Sequence, residues 1–215
     1  PTEVSDGYTG YHSGFFSGAQ SLFGEAGNGN STGIVLSTID LIRIGAFNTC
    51  EGMSTIPGSY SRLSFLFETT GGDLSLNYVF GSEEYGNTPT ANDYISFLLD
   101  GTEIALVPGS NDGVSVDNIN SATNAHYYRD NSTGALGTEF DGLTTVLTAS
   151  FQGLSAGTHH MELFITDALN WCNGSGVFIQ EGSLNVAAVP EPATMALFGA
   201  GMIGLAAAGR RKTGV

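Results

Sequence analysis

Arg62-Leu63-Ser64-Phe65-Leu66-Phe67-Glu68 and Asp73-Leu74-Ser75-Leu76-Asn77-Tyr78-Val79-Phe80, joined by Thr69-Thr70-Gly71-Gly72, decide the fold class. Leu63, Phe65 and Phe67 share one side of the first segment. Leu74, Leu76, Tyr78 and Phe80 share one side of the second, with Asp73, Ser75 and Asn77 opposite. A period of two places alternate side chains on opposite faces of a strand. Gly71-Gly72 is a hairpin-type turn between them. The pair predicts an antiparallel hairpin with one face in a core.

The same pattern recurs along the chain. Ile95, Phe97 and Leu99 point one way in Asp93–Leu99, and Asp100-Gly101 is a second hairpin signal, followed by Glu103–Val107. Thr145–Phe151 and His159–Thr166 alternate, Gly33–Thr38 is a short buried-type run, and Val177–Gln180 and Ser183–Val186 close the set. Residues 1–32 are rich in Gly, Ser, Tyr and Phe without a clear period, and 45–60 reads as a loop. About nine or ten short strands separated by turn signals predict an all-β antiparallel β-sandwich, jelly-roll-like. The only convincingly helical segment lies at the C terminus.

Charge divides the chain. Of 21 acidic and 6 basic residues, Arg210, Arg211 and Lys212 sit at the extreme end. Residues 1–189 carry Arg43, Arg62 and Arg129 as their only bases and no lysine. Phosphate binding needs Lys and Arg to displace counterions, so nucleic acid is excluded as a partner; such a surface favours divalent cations.

The last 27 residues have three parts in order. Val189-Pro190-Glu191-Pro192 is stiff and extended, because each proline fixes φ and turns its predecessor away from helix. Residues 193–209 contain no charge; as a helix they would be about 25 Å long, the short end for a transmembrane span. Arg210-Arg211-Lys212 then holds the end on the cytoplasmic side, which places 1–188 outside. The alternative, a buried core helix, would show an amphipathic period. The chain thus divides into an extracytoplasmic β domain, 1–188, and a tail, 189–215, with a single C-terminal transmembrane helix. The start at Pro1 is read as a removed or truncated leader.

This tail resembles the PEP-CTERM sorting signal of Gram-negative bacteria. The resemblance implies an exosortase as processing partner, a transient inner-membrane anchor, and a final place at the cell surface or in the extracellular, exopolysaccharide-rich biofilm matrix. The body also resembles a family. Tyr78-Val79-Phe80-Gly81-Ser82-Glu83-Glu84-Tyr85, Asn92-Asp93, Ala105-Leu106-Val107-Pro108-Gly109, Glu139-Phe140-Asp141-Gly142-Leu143-Thr144-Thr145-Val146-Leu147 and Ser175-Gly176-Val177-Phe178-Ile179 look like the choice-of-anchor L domain. That resemblance implies a surface domain with varied anchoring tails and no assigned activity.

Candidate chemistry is sparse. Glu83, Glu84 and Asp93 would meet at one loop end if their strands are neighbours, with Asp167 adding oxygen. Such hard ligands suit Ca²⁺; the alternative is an acidic, solvated loop. Cys50 and Cys172 lack metal-ligand spacing and in an oxidising compartment would most simply form one disulfide; the alternative is two buried thiols. His159 and His160, adjacent on a strand, should point to opposite faces, which disfavours a shared metal. Tyr85, Tyr94, Tyr127, Tyr128 and Trp171 form either an aromatic platform or scattered core aromatics. No catalytic set is legible. The sequence therefore predicts a non-enzymatic surface or matrix protein whose partners are exopolysaccharide or other surface proteins. A calcium-dependent carbohydrate-binding or adhesion module is the second reading, and a secreted hydrolase the third.

Overall fold

The computed structural model describes residues 3–6 (backbone), 12–24, 32–39, 59–85, 92–168 and 173–188. The tail from Val189 to Lys212, Cys50, Cys172 and Trp171 lie outside the described residues. Strands run in the order β1 (Glu3–Asp6), β2 (Ser13–Phe16), β3 (Gly33–Ser37), β4 (Tyr60–Thr69), β5 (Gly72–Ser82), β6 (Tyr94–Leu99) and β7 (Thr102–Glu103). They continue with β8 (Tyr128–Asp130), β9 (Gly142–Thr144), β10 (Leu147–Leu154), β11 (Gly157–Thr166), β12 (Ser175–Gln180) and β13 (Asn185–Ala187). A single turn of helix, α1 (Gln20–Phe23), precedes β3. Among the described residues no helix is long and apolar enough to cross a membrane.

Two antiparallel sheets form the body. One has the order β1-β4-β11-β6-β7; the other has β2-β3-β12-β5-β9-β8, with β10 and β13 also pairing β5. The predicted all-β sandwich is what forms. The deciding hairpin behaves unexpectedly: β4 and β5 follow one another through Gly71-Gly72 yet belong to different sheets. Each finds its long partner elsewhere, β4 on β11 and β5 on β10 and β12. Alternation fixes which side of a strand is apolar but not which strand lies beside it.

The inward sets are those of the alternating pattern. Leu74, Leu76, Tyr78 and Phe80 of one sheet face Leu63, Ile95, Phe97, Leu99, Met161, Leu163 and Ile165 of the other. Tyr78 and Phe97 pack edge to face across the gap, centroids 4.8 Å apart. A second core lies on the outer face of the β5 sheet. Leu22 and Phe23 of α1 cover Val35, Val79, Phe140, Leu143 and Phe178 there. This gives the aperiodic N-terminal stretch its role: it supplies the lid that lets Val79 and Phe178, on the outward side of their strands, be buried.

Glycine makes room for that lid. The Phe140 ring lies across Gly81 and Gly176, where an added Cβ would meet ring atoms at 2.8 and 2.7 Å. Phe140 is thereby pinned at one end of the sandwich, and it carries Glu139 and Asp141 with it.

Candidate functional site: an acidic pole

The strand ends define two poles. At one end lie the close of β5, β3 and β11 and the start of β4, β6, β9 and β12. The connections there bring together Thr38, Ser59, Glu83, Glu84, Asp93, Glu139, Asp141, Asp167 and Ser175. All of these except Asp141 are buried.

Asp93 is the centre of one group and is fully buried. Its Oδ1 accepts from the Ala168 N–H at 2.8 Å and its Oδ2 from the Ser175 hydroxyl at 2.6 Å. Its own N–H donates to Glu84 Oε2 at 3.0 Å. Ser175 N–H donates to Thr38 Oγ1 at 2.8 Å, and Asp167 N–H to the Ser59 carbonyl at 2.9 Å. The Asp93–Ser175 and Glu84–Asp93 bonds cross from one sheet to the other. Burial, reinforced by the charge on Glu84 and opposed by the Ser175 and Ala168 bonds, pushes the Asp93 carboxyl up to about 8; Asp167 adds to the rise. The cause is ordinary: a carboxylate leaves water and meets like charges.

Glu83 belongs to a neighbouring group. Its N–H donates to the Gly174 carbonyl at 3.0 Å. Burial first, then Asp141 and Glu139, pushes its carboxyl up to about 8. Asp141 also raises the Tyr128 hydroxyl, after burial and Asp130. Tyr128 lies against Tyr85, centroids 5.0 Å apart. Both rings fill the space over Gly142, where a Cβ would sit 2.6 Å from Tyr128 and 2.7 Å from Tyr85.

The four carboxylates singled out in the sequence are thus at one pole, but divided: Glu84, Asp93 and Asp167 on one side, Glu83 with Glu139 and Asp141 on the other. The route to this meeting differs from the expected one. β5 and β6 lie in different sheets, so Glu84 and Asp93 meet because the sandwich closes at its end, not because their strands are neighbours. Among the described residues no three His, Cys, Asp or Glu side chains are arranged as a metal-binding group. Sequence reasoning passed over Glu139, Asp141 and Ser175 as site residues. Their signal was their place inside the family-like blocks: Glu139 and Asp141 flank Phe140, and Ser175 precedes Gly176, one of the two glycines that admit its ring.

The other candidates separate. His159 and His160 do point apart: His159 Nδ1 bonds Asp100 at 2.6 Å and its Nε2 bonds the Ser155 carbonyl at 3.0 Å, while His160 Nε2 bonds Ser64 Oγ at 2.7 Å. The Ser64–His160 contact is a diagonal one between β4 and β11, since Ser64 stands opposite Glu162 and His160 opposite Leu66. Asp100, the carboxylate at this hairpin, accepts from the His160 backbone N–H and the His159 ring, so it does not orient the His160 ring. The tyrosines make no single platform: Tyr85 is buried, and Tyr94 lies near Phe164 on the opposite sheet. An apolar cavity of about 480 Å³ opens between the sheets, lined by Phe16, Ile34, Leu63, Phe65, Leu76 and Leu163, with Phe15 at its mouth 91% exposed.

Comparison with known proteins adds the lineage. The choice-of-anchor L domain model matches residues 3–185 and the PEP-CTERM protein-sorting motif matches residues 188–212. No curated protein matches the chain. Among solved structures, TmCBM61 in complex with beta-1,4-galactotriose is 11% identical, with 87% of this chain and 89% of that one covered and a TM-score of 0.38. The cleaved adhesin domain of Lys-gingipain from Porphyromonas gingivalis is 13% identical, covering 83% and 89%, with a TM-score of 0.36. A family 35 carbohydrate binding module from an environmental isolate is 13% identical, covering 71% and 98%, with a TM-score of 0.29. These likenesses are too distant to carry a functional argument. By the match over nearly all of its β domain, the chain belongs to the choice-of-anchor L domain family, with a PEP-CTERM sorting motif following that domain.

Proposed function

We propose that this is a non-enzymatic domain of the bacterial cell surface or exopolysaccharide matrix, exported and then processed by an exosortase at its C-terminal tail. The observation that carries the reading is the sorting motif at 188–212, directly after the sandwich domain at 3–185. Residues 193–209 serve as the transient inner-membrane anchor, and Arg210, Arg211 and Lys212 as its cytoplasmic stop. The acidic body suits a hydrated matrix, because like charges keep it soluble.

The test is the mass and location of the full chain in a host with and without an exosortase. The processed form should lose its apolar tail and leave the membrane fraction. Pro190→Ala combined with Pro192→Ala should hold it there at full mass. Identical masses in both hosts would remove the reading.

A second reading, a calcium-dependent carbohydrate-binding or adhesion module, is favoured by the convergence of Glu84, Asp93 and Asp167. A bound Ca²⁺ would draw oxygen ligands from these side chains and offset the burial and like charge that push the Asp93 carboxyl up. Melting of the chain with Ca²⁺ and with chelator separates the two readings. A Ca²⁺-specific rise, lost in Glu84→Ala and Asp93→Asn, supports the second; no shift at millimolar Ca²⁺ removes it.

A further inference from the structure

The tail leaves the sandwich at a defined place. β13 runs antiparallel to β5, with Asn185 opposite Ser75, Val186 opposite Leu74 and Ala187 opposite Asp73. The chain therefore travels toward Gly72, the start of β5, and away from Ser82, where the acidic pole begins. At Gly72 the approach is close. An added Cβ would meet the Ala187 carbonyl oxygen at 2.1 Å and the Ala188 Cα at 3.1 Å, and φ there is +145°, a value that side chains rarely adopt. Only glycine allows Ala187 and Ala188 to lie against the turn. The root of the tail is clamped to the β4–β5 connection.

That pole differs from the other in chemistry. Its turns, Thr69-Thr70-Gly71-Gly72 and Gly153-Leu154-Ser155-Ala156-Gly157-Thr158, carry no charge, and Thr70, Ser155, Ala156, Gly157, Thr158, Ala187 and Ala188 are exposed. Carboxylates stand beside these turns, and Glu68, Asp73 and Asp100 are all exposed. Asp73 accepts from the Gly153 N–H at 2.8 Å, Asp100 is bonded to His159, and Glu68 lies on β4 before the turn. The buried carboxylates are at the far end of β5, whose 11 residues span roughly 35 Å.

We propose that this pole, where the tail leaves the sandwich, is the face the domain turns toward a lipid surface, with β13 clamped on Gly72 setting the orientation. The inference rests on the reading of the tail as a membrane-engaged sorting segment. Between Ala188 and the apolar run stand only Val189-Pro190-Glu191-Pro192, which at about 3.1–3.3 Å per residue reach about 13 Å. Held that closely, the domain, which carries 20 of the chain's 21 acidic residues, must meet the bilayer with the end from which the tail departs. The acidic pole then stands outward, where soluble partners and cations reach it first.

Energy transfer tests this on the full chain inserted in phosphatidylglycerol-containing vesicles with a headgroup acceptor. A genetically encoded fluorescent residue is placed at Ser155 or at Asp117, an exposed residue of the acidic pole whose N–H donates to Asn92. Transfer should be several-fold stronger from Ser155. Equal or reversed efficiencies overturn the orientation. Gly72→Val should expel β13 and narrow the difference. An insertion of about ten Gly-Ser residues after Ala188, which leaves the sandwich sequence intact, should do the same by slackening the tether; a difference that survives both changes shows that the clamp does not set it. Flotation is scored first: a chain that stays off the vesicles overturns the membrane reading of the tail, and the orientation with it.

Discussion

The two poles of the sandwich are built from the same strands but solve opposite problems. At the pole of the β4–β5 turn, backbone turns meet water directly, and glycines supply the close approaches. At the acidic pole, six carboxyl groups are packed against hydroxyls, backbone N–H groups and aromatic rings. The first end tolerates change because its polar groups are solvated. The second stores electrostatic cost, since a buried carboxyl group must be protonated, hydrogen-bonded or matched by a cation. An end of that kind persists where ordering loops or binding a cation offsets its cost.

The contrast breaks first on the cysteines. Cys50 lies between Ile39 and Ser59, and Cys172 between Ala168 and Asn173. All four of these flanking residues belong to the acidic pole, where the Asp167 N–H reaches the Ser59 carbonyl. A non-reducing peptide map should show Cys50 joined to Cys172, with reduction costing up to about 4–5 kcal/mol in the chain-entropy model. Two free thiols in exported protein would mean that this pole is not stapled.

Next in size is Asp93→Ala. It leaves the Ser175 hydroxyl and the Ala168 N–H without their buried acceptor and should cost about 2–4 kcal/mol by urea unfolding. Ser155→Ala at the opposite pole should stay within about 0.5 kcal/mol. Similar losses at both ends would erase the distinction. Calcium comes third: on the calcium-dependent reading, Ca²⁺ at a hundred times its dissociation constant should add about 2.7 kcal/mol, Asp93→Asn should abolish the gain, and no shift would remove that reading.

The last comparison is in pH. Asp93 and Glu83 have folded values of about 8, above their ordinary carboxyl values, so the folded chain holds protons that the unfolded chain has released. Stability without cation should therefore fall as pH rises from about 4 to about 8 and level off beyond. Asp93→Asn should flatten part of that slope. At the pole of the β4–β5 turn the signs are opposed within one pair. Hydrogen bonds from the His160 backbone and the His159 ring lower Asp100, and the bond to Asp100 raises His159. The Asp100 share is lost as pH falls through its depressed value, and the His159 share as pH rises through its raised one. His159→Asn should remove the second loss and leave the acidic-pole slope intact; a change in both would show that the poles are coupled.

Much of the strand content was legible. The alternating runs 62–68, 73–80, 93–99 and 159–166 became β4, β5, β6 and β11, because a half-buried strand must alternate. Short strands without alternation were not legible: β8 and β9 have three residues each and exist because β5 and one another offer free edges. Glu103–Val107 reads as a strand, yet only Thr102–Glu103 pairs regularly. The Glu103 carboxylate accepts from the Phe97 and Ala105 N–H groups and ends the ladder there. The acidic site was half legible. Glu83, Glu84, Asp93 and Asp167 stood out as acids at strand ends, but Glu139 and Asp141 did not, since nothing local says that Phe140 will lie across Gly81 and Gly176.

By itself the sequence determined the β class, the hairpin signals, the order of the tail and the family, because these depend on period, turn chemistry and residues adjacent in the chain. Only the tertiary structure decided that β4 and β5 part into different sheets and that Asp93 reaches Ser175, 82 positions away. It also decided that the root of the tail lies at Gly72, opposite the carboxylates. Those outcomes depend on which strands become neighbours. That choice is made by the packing of two whole sheets, and a single strand's alternation is the same whichever neighbour it takes.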